Sequence, residues 1–368
     1  MHVYVHVPFC GRRCSYCDFA IAVRRVTPDA EFVAAIRSEW RLRREHPAWS
    51  ASPLVETLYF GGGTPSRLAP SSLEELIQLV ANDRGLAADA EVTIEVNPDD
   101  VTGTVALAWK AAGVTRVSLG VQSHDPAVLE WMHRTHRAEQ VAPAVDTLRT
   151  AGLENISIDM IFALPESLHR DWPRDLALTL ALEPSHLSLY GLTVESHTPL
   201  GRWTARGDAA LTPDEEYAAD FLHADRELDA AGFDHYEVSN FARPGFRSRH
   251  NSSYWTGANY LGLGPSAHSL QDGLRSWNVR EWADYRGRAA AGQRVEAGSE
   301  VVDGGGRRIE RLYLALRTSA GIPATELPGK AREDWLAAGW ATVSGPRLRL
   351  TPEGWLRLDA LVAAVADS

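Results

Sequence analysis

Three near-copies of one short pattern set the limits on what this chain can fold into. AAGV at 111–114, TAGL at 150–153 and AAGF at 230–233 each place a glycine between the end of a helical pattern and an apolar run. Gly113, Gly152 and Gly232 are suited to the left-handed backbone that stops a helix. The runs they feed belong to a longer series rich in β-branched residues: HVYVHV (2–7), ETLYFGGG (56–63), VTIEVN (92–97), RVSLGVQ (116–122), NISIDMIF (155–162) and HLSLYGLT (186–193). Strands that alternate with helices at this spacing predict a parallel sheet with right-handed crossovers. Polar side chains fall at or just beyond the strand ends, at Cys10, Thr64, Glu95, Gln122 and Asp159. In a curved parallel sheet those ends converge on one face, so the expected architecture is α/β, a partial (β/α)6 barrel.

Helix starts are also written in the sequence. Thr27 with Pro28 predicts an N-terminus followed by Phe32, Ile36 and Trp40 on one face, and Ser71 with Glu74 and Thr212 with Glu215 have capping-box spacing. After about residue 200 the alternation weakens. A Gly-, Asn- and aromatic-rich segment spans 244–279, and the tail predicts helices near 307–318 and 330–338 and a hairpin, ATVSGPRLRLT, turning at Gly345 and Pro346. Two units are expected, 1–230 as the core and 231–368 as a smaller α+β region ending in a winged-helix-like tail.

The net charge of −11 opposes long-range attraction to a phosphate backbone, which argues against nucleic acid as a partner. No apolar run reaches the roughly 18 residues a membrane span requires, so at most peripheral membrane association is expected. All 3 cysteines lie in VPFCGRRCSYCDF (7–19). An odd, clustered set is the opposite of a secreted disulfide framework and places the chain in the cytoplasm.

Cys10, Cys14 and Cys17 admit three readings. Their spacing fits one face of a helix, a buried thiol stripe. Zinc is the second, with His6 as fourth ligand, although structural zinc usually takes two ligand pairs. The third is an iron–sulfur cube held by three thiolates, with one iron left open for a cofactor or substrate. Pro8 and Gly11 favour a loop over a helix, and bunched thiolates need a cation to neutralise them.

CxxxCxxC after the first strand, with Tyr16 before the last cysteine, resembles the radical S-adenosylmethionine (SAM) superfamily. With YFGGGTPS, IEVNPDD, RVSLGVQS, DMIFALP and HNSSYW (250–255) in that order, the chain is similar nearly end to end to the oxygen-independent coproporphyrinogen oxidase-like proteins, most closely the HemW branch. The resemblance implies a 4Fe–4S cluster on Cys10, Cys14 and Cys17, with SAM on the open iron and Tyr4 and Tyr16 flanking the site. It implies that Gly61, Gly62, Gly63 and Thr64 approach the methionine amino group, that Glu95 accepts from it, that Gln122 and Asp159 reach the ribose, and that Arg134 pairs with the carboxylate. A scaffold able to cleave SAM follows.

Two departures set the chain apart from the porphyrinogen oxidases of the resemblance. Those carry a fourth cysteine two positions after the third, where this chain has Phe19, and a longer segment ahead of the cluster loop. The HNxxYW element, His250, Asn251, Tyr254 and Trp255, marks the HemW branch and implies heme binding and transfer to an acceptor protein. An imidazole is an ordinary axial ligand, Tyr254 or Trp255 offers a plane for the macrocycle, and Arg247 and Arg249 suit propionates. His133, His136 and His268 compete with His250 as the heme-iron ligand. The alternative is turnover as a coproporphyrinogen III oxidase.

Overall fold

The computed structural model describes residues 1–47, 54–302 and 304–366. Strand β1 (His2–Val7) leads through two short strands, β2 (Phe9–Cys10) and β3 (Ala22–Val23), into helix α1 (Asp29–Arg43). Then follow β4 (Val55–Gly62), α2 (Pro70–Arg84), β5 (Leu86–Val96), α3 (Gly103–Ala112) and β6 (Arg116–Gln122). Helices α4 (Pro126–Trp131) and α5 (Val141–Thr150) precede β7 (Ile156–Phe162), α6 (Trp172–Leu180) and β8 (His186–Gly191). The strands β1, β4, β5, β6, β7 and β8 are the six read from the sequence, and each pairs in parallel with the next.

The second half of the chain extends this sheet at both edges. After α7 (Pro199–Arg206) and α8 (Asp214–Ala230), β9 (Asp234–Glu237) and β10 (Asn240–Ala242) add antiparallel to β8. Following α9 (Arg249–Trp255), β11 (Tyr260–Leu263) joins β1 in parallel; β12 (His268–Gln271), β13 (Leu274–Asn278), α10 (Trp282–Ala290) and β14 (Glu296–Val301) complete a 12-stranded mixed sheet. The alternation of strand and helix thus stops near 230, while the sheet runs across that point. The tail holds α11 (Gly304–Leu316), β15 (Ile322–Pro323), α12 (Gly329–Ala337), β16 (Ala341–Ser344), β17 (Arg347–Leu350), α13 (Pro352–Trp355) and α14 (Leu358–Ala366). Its three strands pair in the order β15-β17-β16, the winged-helix-like unit expected, with the hairpin turning at Gly345.

Period-two alternation explains why the parallel strands can be covered on one side and open on the other. Val3, Val5, Leu58, Phe60, Ile94, Val117, Leu119, Ile156 and Ile158 are buried in one core with Trp40 of α1 and Trp109 of α3. The intervening positions are polar: His2, Tyr4 and His6; Thr57 and Tyr59; Glu91, Thr93 and Glu95; Arg116 and Ser118; Ser157 and Asp159; His186, Ser188 and Tyr190. Register places Glu95 beside Ser118, Ser118 beside Ser157, and Asp159 beside Ser188. Tyr59, Glu95, Ser118, Asp159 and Tyr190, from five successive strands, line one cavity of about 520 Å³. Neighbouring strands are about 4.8 Å apart, so a flat sheet would spread these residues too widely to share it. The sheet is therefore curved with a polar concave face.

Gly113, Gly152 and Gly232 all have positive φ after helices ending at 112, 150 and 230. The expected caps differ. Helix α1 begins at Asp29 with Pro28 as its N-cap and no side-chain cap from Thr27, and the Asp29 carboxylate accepts the Ala69 N–H (2.7 Å) ahead of α2. Pro70 starts α2 one residue before Ser71, which removes the Ser71–Glu74 box. The Thr212 hydroxyl donates to the Ala163 carbonyl (2.8 Å) instead of capping α8.

Candidate functional site

The cysteine loop is held at both ends. Phe9 and Cys10 pair with Ala22 and Val23, the Ala22 N–H donates to the Pro8 carbonyl (2.7 Å) and the Arg24 N–H to the Cys10 carbonyl (2.9 Å). Phe9 is fully buried edge-on between Phe32 and Trp282. Midway, the Ser15 N–H donates to the Met132 carbonyl (3.1 Å) and the Ser15 carbonyl accepts from Leu200 (2.9 Å). Residues 11–21 are non-helical, so the thiols are presented by a clamped loop rather than a helix face.

Cys10, Cys14 and Cys17 all line the cavity. The Thr64 hydroxyl lies 3.4 Å from the Cys10 sulfur, and Arg134 Nη1 lies 3.7 Å from that of Cys14. Burial raises the Cys10 thiol above its usual range and pushes Cys17 up to about 12. Thiols so placed ionise only when a cation compensates. Among the described residues no three His, Cys, Asp or Glu side chains converge on a single metal ion. His6, the fourth ligand of the zinc reading, has both ring nitrogens engaged, Nδ1 with the Tyr4 hydroxyl (3.1 Å) and Nε2 with the Ala20 carbonyl (2.9 Å). The donor set suits a polynuclear cube with three anchors.

Opposite the thiols lies the rest of the polar rim. Glu95 Oε1 accepts from the Tyr59 hydroxyl and Oε2 from the Gly62 N–H, both at 2.9 Å, yet burial pushes its carboxyl up to about 7. Asp159 accepts from the Ser118 hydroxyl (3.0 and 2.9 Å) and from Ser157 (3.2 Å); burial raises it above the usual carboxylate range. Arg134 Nη2 donates to Asn97 Oδ1 (2.6 Å) and to the Gly120 carbonyl (2.8 Å). Burial acts to lower this guanidinium, but Tyr16 and Cys14 outweigh it and hold it above the usual arginine range. Its buried Nε–H has no partner among the described residues, which leaves one donor for an anionic ligand.

The backbone is shaped around this space. A Cβ on Gly62, at φ 111°, would meet the His6 ring at 2.5 Å, and one on Gly63 would meet the Pro8 backbone at 2.8 Å. Gln122 has φ 68° at an irregularity in β6, which turns its side chain into the cavity. A left-handed non-glycine residue at a strand end is local strain of the sort found at binding sites.

The radical SAM superfamily profile matches residues 4–178. A protein of Mycobacterium tuberculosis named heme chaperone HemW is 37% identical over 367 residues, covering 98% of this chain and 93% of its own. Another of that name from Synechocystis is 37% identical over 340 residues, covering 88% and 80%. The chain belongs to the HemW family. The coproporphyrinogen III oxidase HemN of Escherichia coli shares the fold, with a TM-score of 0.81 at 21% identity over 99% of this chain and 89% of that one. Radical SAM membership of the HemW family implies a 4Fe–4S cluster and SAM.

Of the residues expected to bind SAM in this HemW-family chain, Tyr16, Gly62, Gly63, Thr64, Glu95, Gln122, Arg134 and Asp159 line the one cavity with the cysteines. Tyr4 lies behind it, stacked on Tyr59 with ring centroids 5.9 Å apart. The HemW motif lies outside the cavity lining, on α9, with the His250 ring stacked on Tyr59 (centroids 4.9 Å apart) at the polar face of the sheet. His250 is 1% exposed, with Nδ1 2.7 Å from the Thr57 hydroxyl and Nε2 2.9 Å from the Tyr254 hydroxyl. Burial pulls its pKa down to about 3, so the ring is neutral. Asn251 is half-buried and its N–H donates to the Ser248 hydroxyl (3.2 Å); the Trp255 ring is covered by Arg317 at 4.7 Å. Arg247 pairs with Asp234 (3.2 Å) and Arg249 with Asp89 (3.1 Å). His136 is buried with Nε2 on the Val121 carbonyl (3.1 Å), whereas His133 lies in the cavity against Trp203.

Sequence reading overlooked Tyr59, Asn97 and Ser118. Tyr59 precedes Gly61, and Ser118 precedes Gly120, by two residues on the same strand face, so strand alternation carried the signal. Asn97 sits two positions past Glu95, lines the same cavity and is the acceptor that orients Arg134.

Proposed function

We propose that this chain is a heme-binding carrier built on a radical SAM scaffold, which takes up heme and passes it to an acceptor protein. The observation that carries the reading is near-full-length similarity to proteins named heme chaperone, at an identity of 37%. In this reading Cys10, Cys14 and Cys17 anchor the cluster, and Thr64 and Arg134 donate toward its sulfur shell. Glu95 accepts from the SAM ammonium, the free Nε–H of Arg134 faces its carboxylate, and Asp159 and Gln122 accept from and donate to the ribose hydroxyls. When bound, the cluster supplies an electron to the SAM sulfonium.

The protein contributes order before any ligand arrives. Ser118 and Ser157 fix the Asp159 carboxylate, Tyr59 and the Gly62 N–H fix that of Glu95, and Asn97 fixes Arg134, so little side-chain freedom is lost on binding. Free thiols clustered on one loop suit a reducing compartment, which supports the cytoplasm. No helix among the described residues is long and apolar enough to cross a membrane.

The test is hemin titration of oxygen-free, cluster-reconstituted protein, followed by addition of an apo-hemoprotein and separation of the two. Saturable uptake and transfer of heme support the carrier. Conversion of coproporphyrinogen III over many turnovers in the presence of SAM would instead establish the oxidase.

A further inference from the structure

A second groove, of about 330 Å³, lies against the cofactor cavity and shares Asp18, Phe19 and Gly62 with it. Tyr254 and Tyr260, edge to face with centroids 4.7 Å apart, line the groove together with the exposed ring of Phe19. His268 and Arg280 also line it.

His268 differs from the other histidines of this region in its availability. His6 and His250 have both ring nitrogens hydrogen-bonded inside the protein, as given above, whereas no hydrogen bond within the described residues reaches either nitrogen of His268. Its ring is exposed at the start of β12, oriented by the Trp277 ring at 6.1 Å and 30°. Partial burial, with Arg275 adding to it, holds its pKa below the ordinary histidine range, so the lone pair is available near neutral pH. Arg280 donates to the Asp18 carbonyl (2.6 Å) and has no carboxylate within ion-pair distance among the described residues.

We infer that the heme cargo docks in this groove, with His268 as axial ligand to the iron, the Tyr254–Tyr260–Phe19 surface against the macrocycle and Arg280 toward a propionate. The assignment rests on the carrier reading above. An imidazole, an aromatic wall and an unpaired guanidinium are the three chemistries an iron porphyrin asks for. The groove is open on one side, so one edge of the macrocycle remains in solvent where an acceptor can reach it. HNSSYW then has a defined part: His250 anchors Tyr254, and Tyr254 lines the groove.

The experiment is hemin titration of the full chain, with the cluster reconstituted, for the wild type, His268→Ala, His268→Met and His250→Ala. Absorbance and electron paramagnetic resonance report the axial ligand, and iron and sulfide content report the cluster. His268→Ala is expected to lose the histidine-ligated spectrum and roughly tenfold or more in affinity, with full cluster content. His268→Met is expected to recover binding with a methionine-type spectrum. Hemin binding unchanged in His268→Ala, or abolished in a folded His250→Ala alone, would overturn this assignment and leave the carrier reading intact. A wild type that binds no hemin would overturn both.

Discussion

The Tyr254 hydroxyl and His250 Nε2 lie 2.9 Å apart, and Thr57 holds the other ring nitrogen at 2.7 Å. This pair ties α9 to the floor of the parallel sheet. Removing the imidazole leaves the half-buried Tyr254 hydroxyl without this partner and opens a cavity, at a cost of about 1–3 kcal/mol for the lost bond, while the Thr57 hydroxyl keeps His2 Nδ1 at 3.0 Å. His250→Ala should lower unfolding free energy in urea by about 2–4 kcal/mol while retaining iron and sulfide. Tyr254→Phe should cost less, about 1 kcal/mol.

SAM affinity should depend on pH through Glu95. Its neighbours are the Tyr59 hydroxyl, the Gly62 N–H, Asp159 and Arg116, and its unliganded carboxyl titrates at about 7. Below that pH it is protonated and cannot attract an ammonium, so binding must release a proton. Calorimetry at a series of pH values should show affinity rising up to about 7 and then levelling. In Glu95→Gln the slope should vanish and affinity should be low throughout.

Acid should destabilise the fold through histidines buried neutral. His6 titrates at about 4, and His136 and His250 at about 3, against 6.5 in an unfolded chain. Between those values the unfolded state binds protons that the folded state refuses, so stability falls as pH drops below 6.5 and continues to fall toward 3. Thermal melts from pH 7 to 4 should show a steady loss, reduced in His136→Gln.

Asp159→Ala should weaken SAM binding and leave the cluster in place, because Asp159 is held by serines from three strands and touches no cysteine. Ser118→Ala should act in the same direction with a smaller effect, since Ser157 still orients the carboxylate. Simultaneous loss of iron would make Asp159 a structural residue.

The six parallel strands and the polar residues at their ends were legible because two-residue alternation and glycine stops are local signals. So were the thiol loop and the meeting of Glu95, Gln122 and Asp159 in one space. Helix starts were less so, because a side chain that fits a cap in sequence can find its partner in a distant segment, as Thr212 did with Ala163. The joining of β11 and the strands that follow it to the same sheet depended on a pairing across more than two hundred residues, Tyr4 with Gly262, and that of β9 and β10 on the pairing of Asn240 with Ser188 of β8. The burial of His250 was hidden for the same reason: Thr57, its partner, lies 193 residues away.

The most direct test is electron paramagnetic resonance of the reduced, oxygen-free protein before and after SAM, with iron and acid-labile sulfide measured on the same sample. Roughly four irons and four sulfides per chain are expected, with a spectrum that changes on SAM addition in the wild type and no cluster in Cys14→Ser. Stoichiometric zinc, or a cluster whose spectrum ignores SAM, would contradict an open iron on Cys10, Cys14 and Cys17.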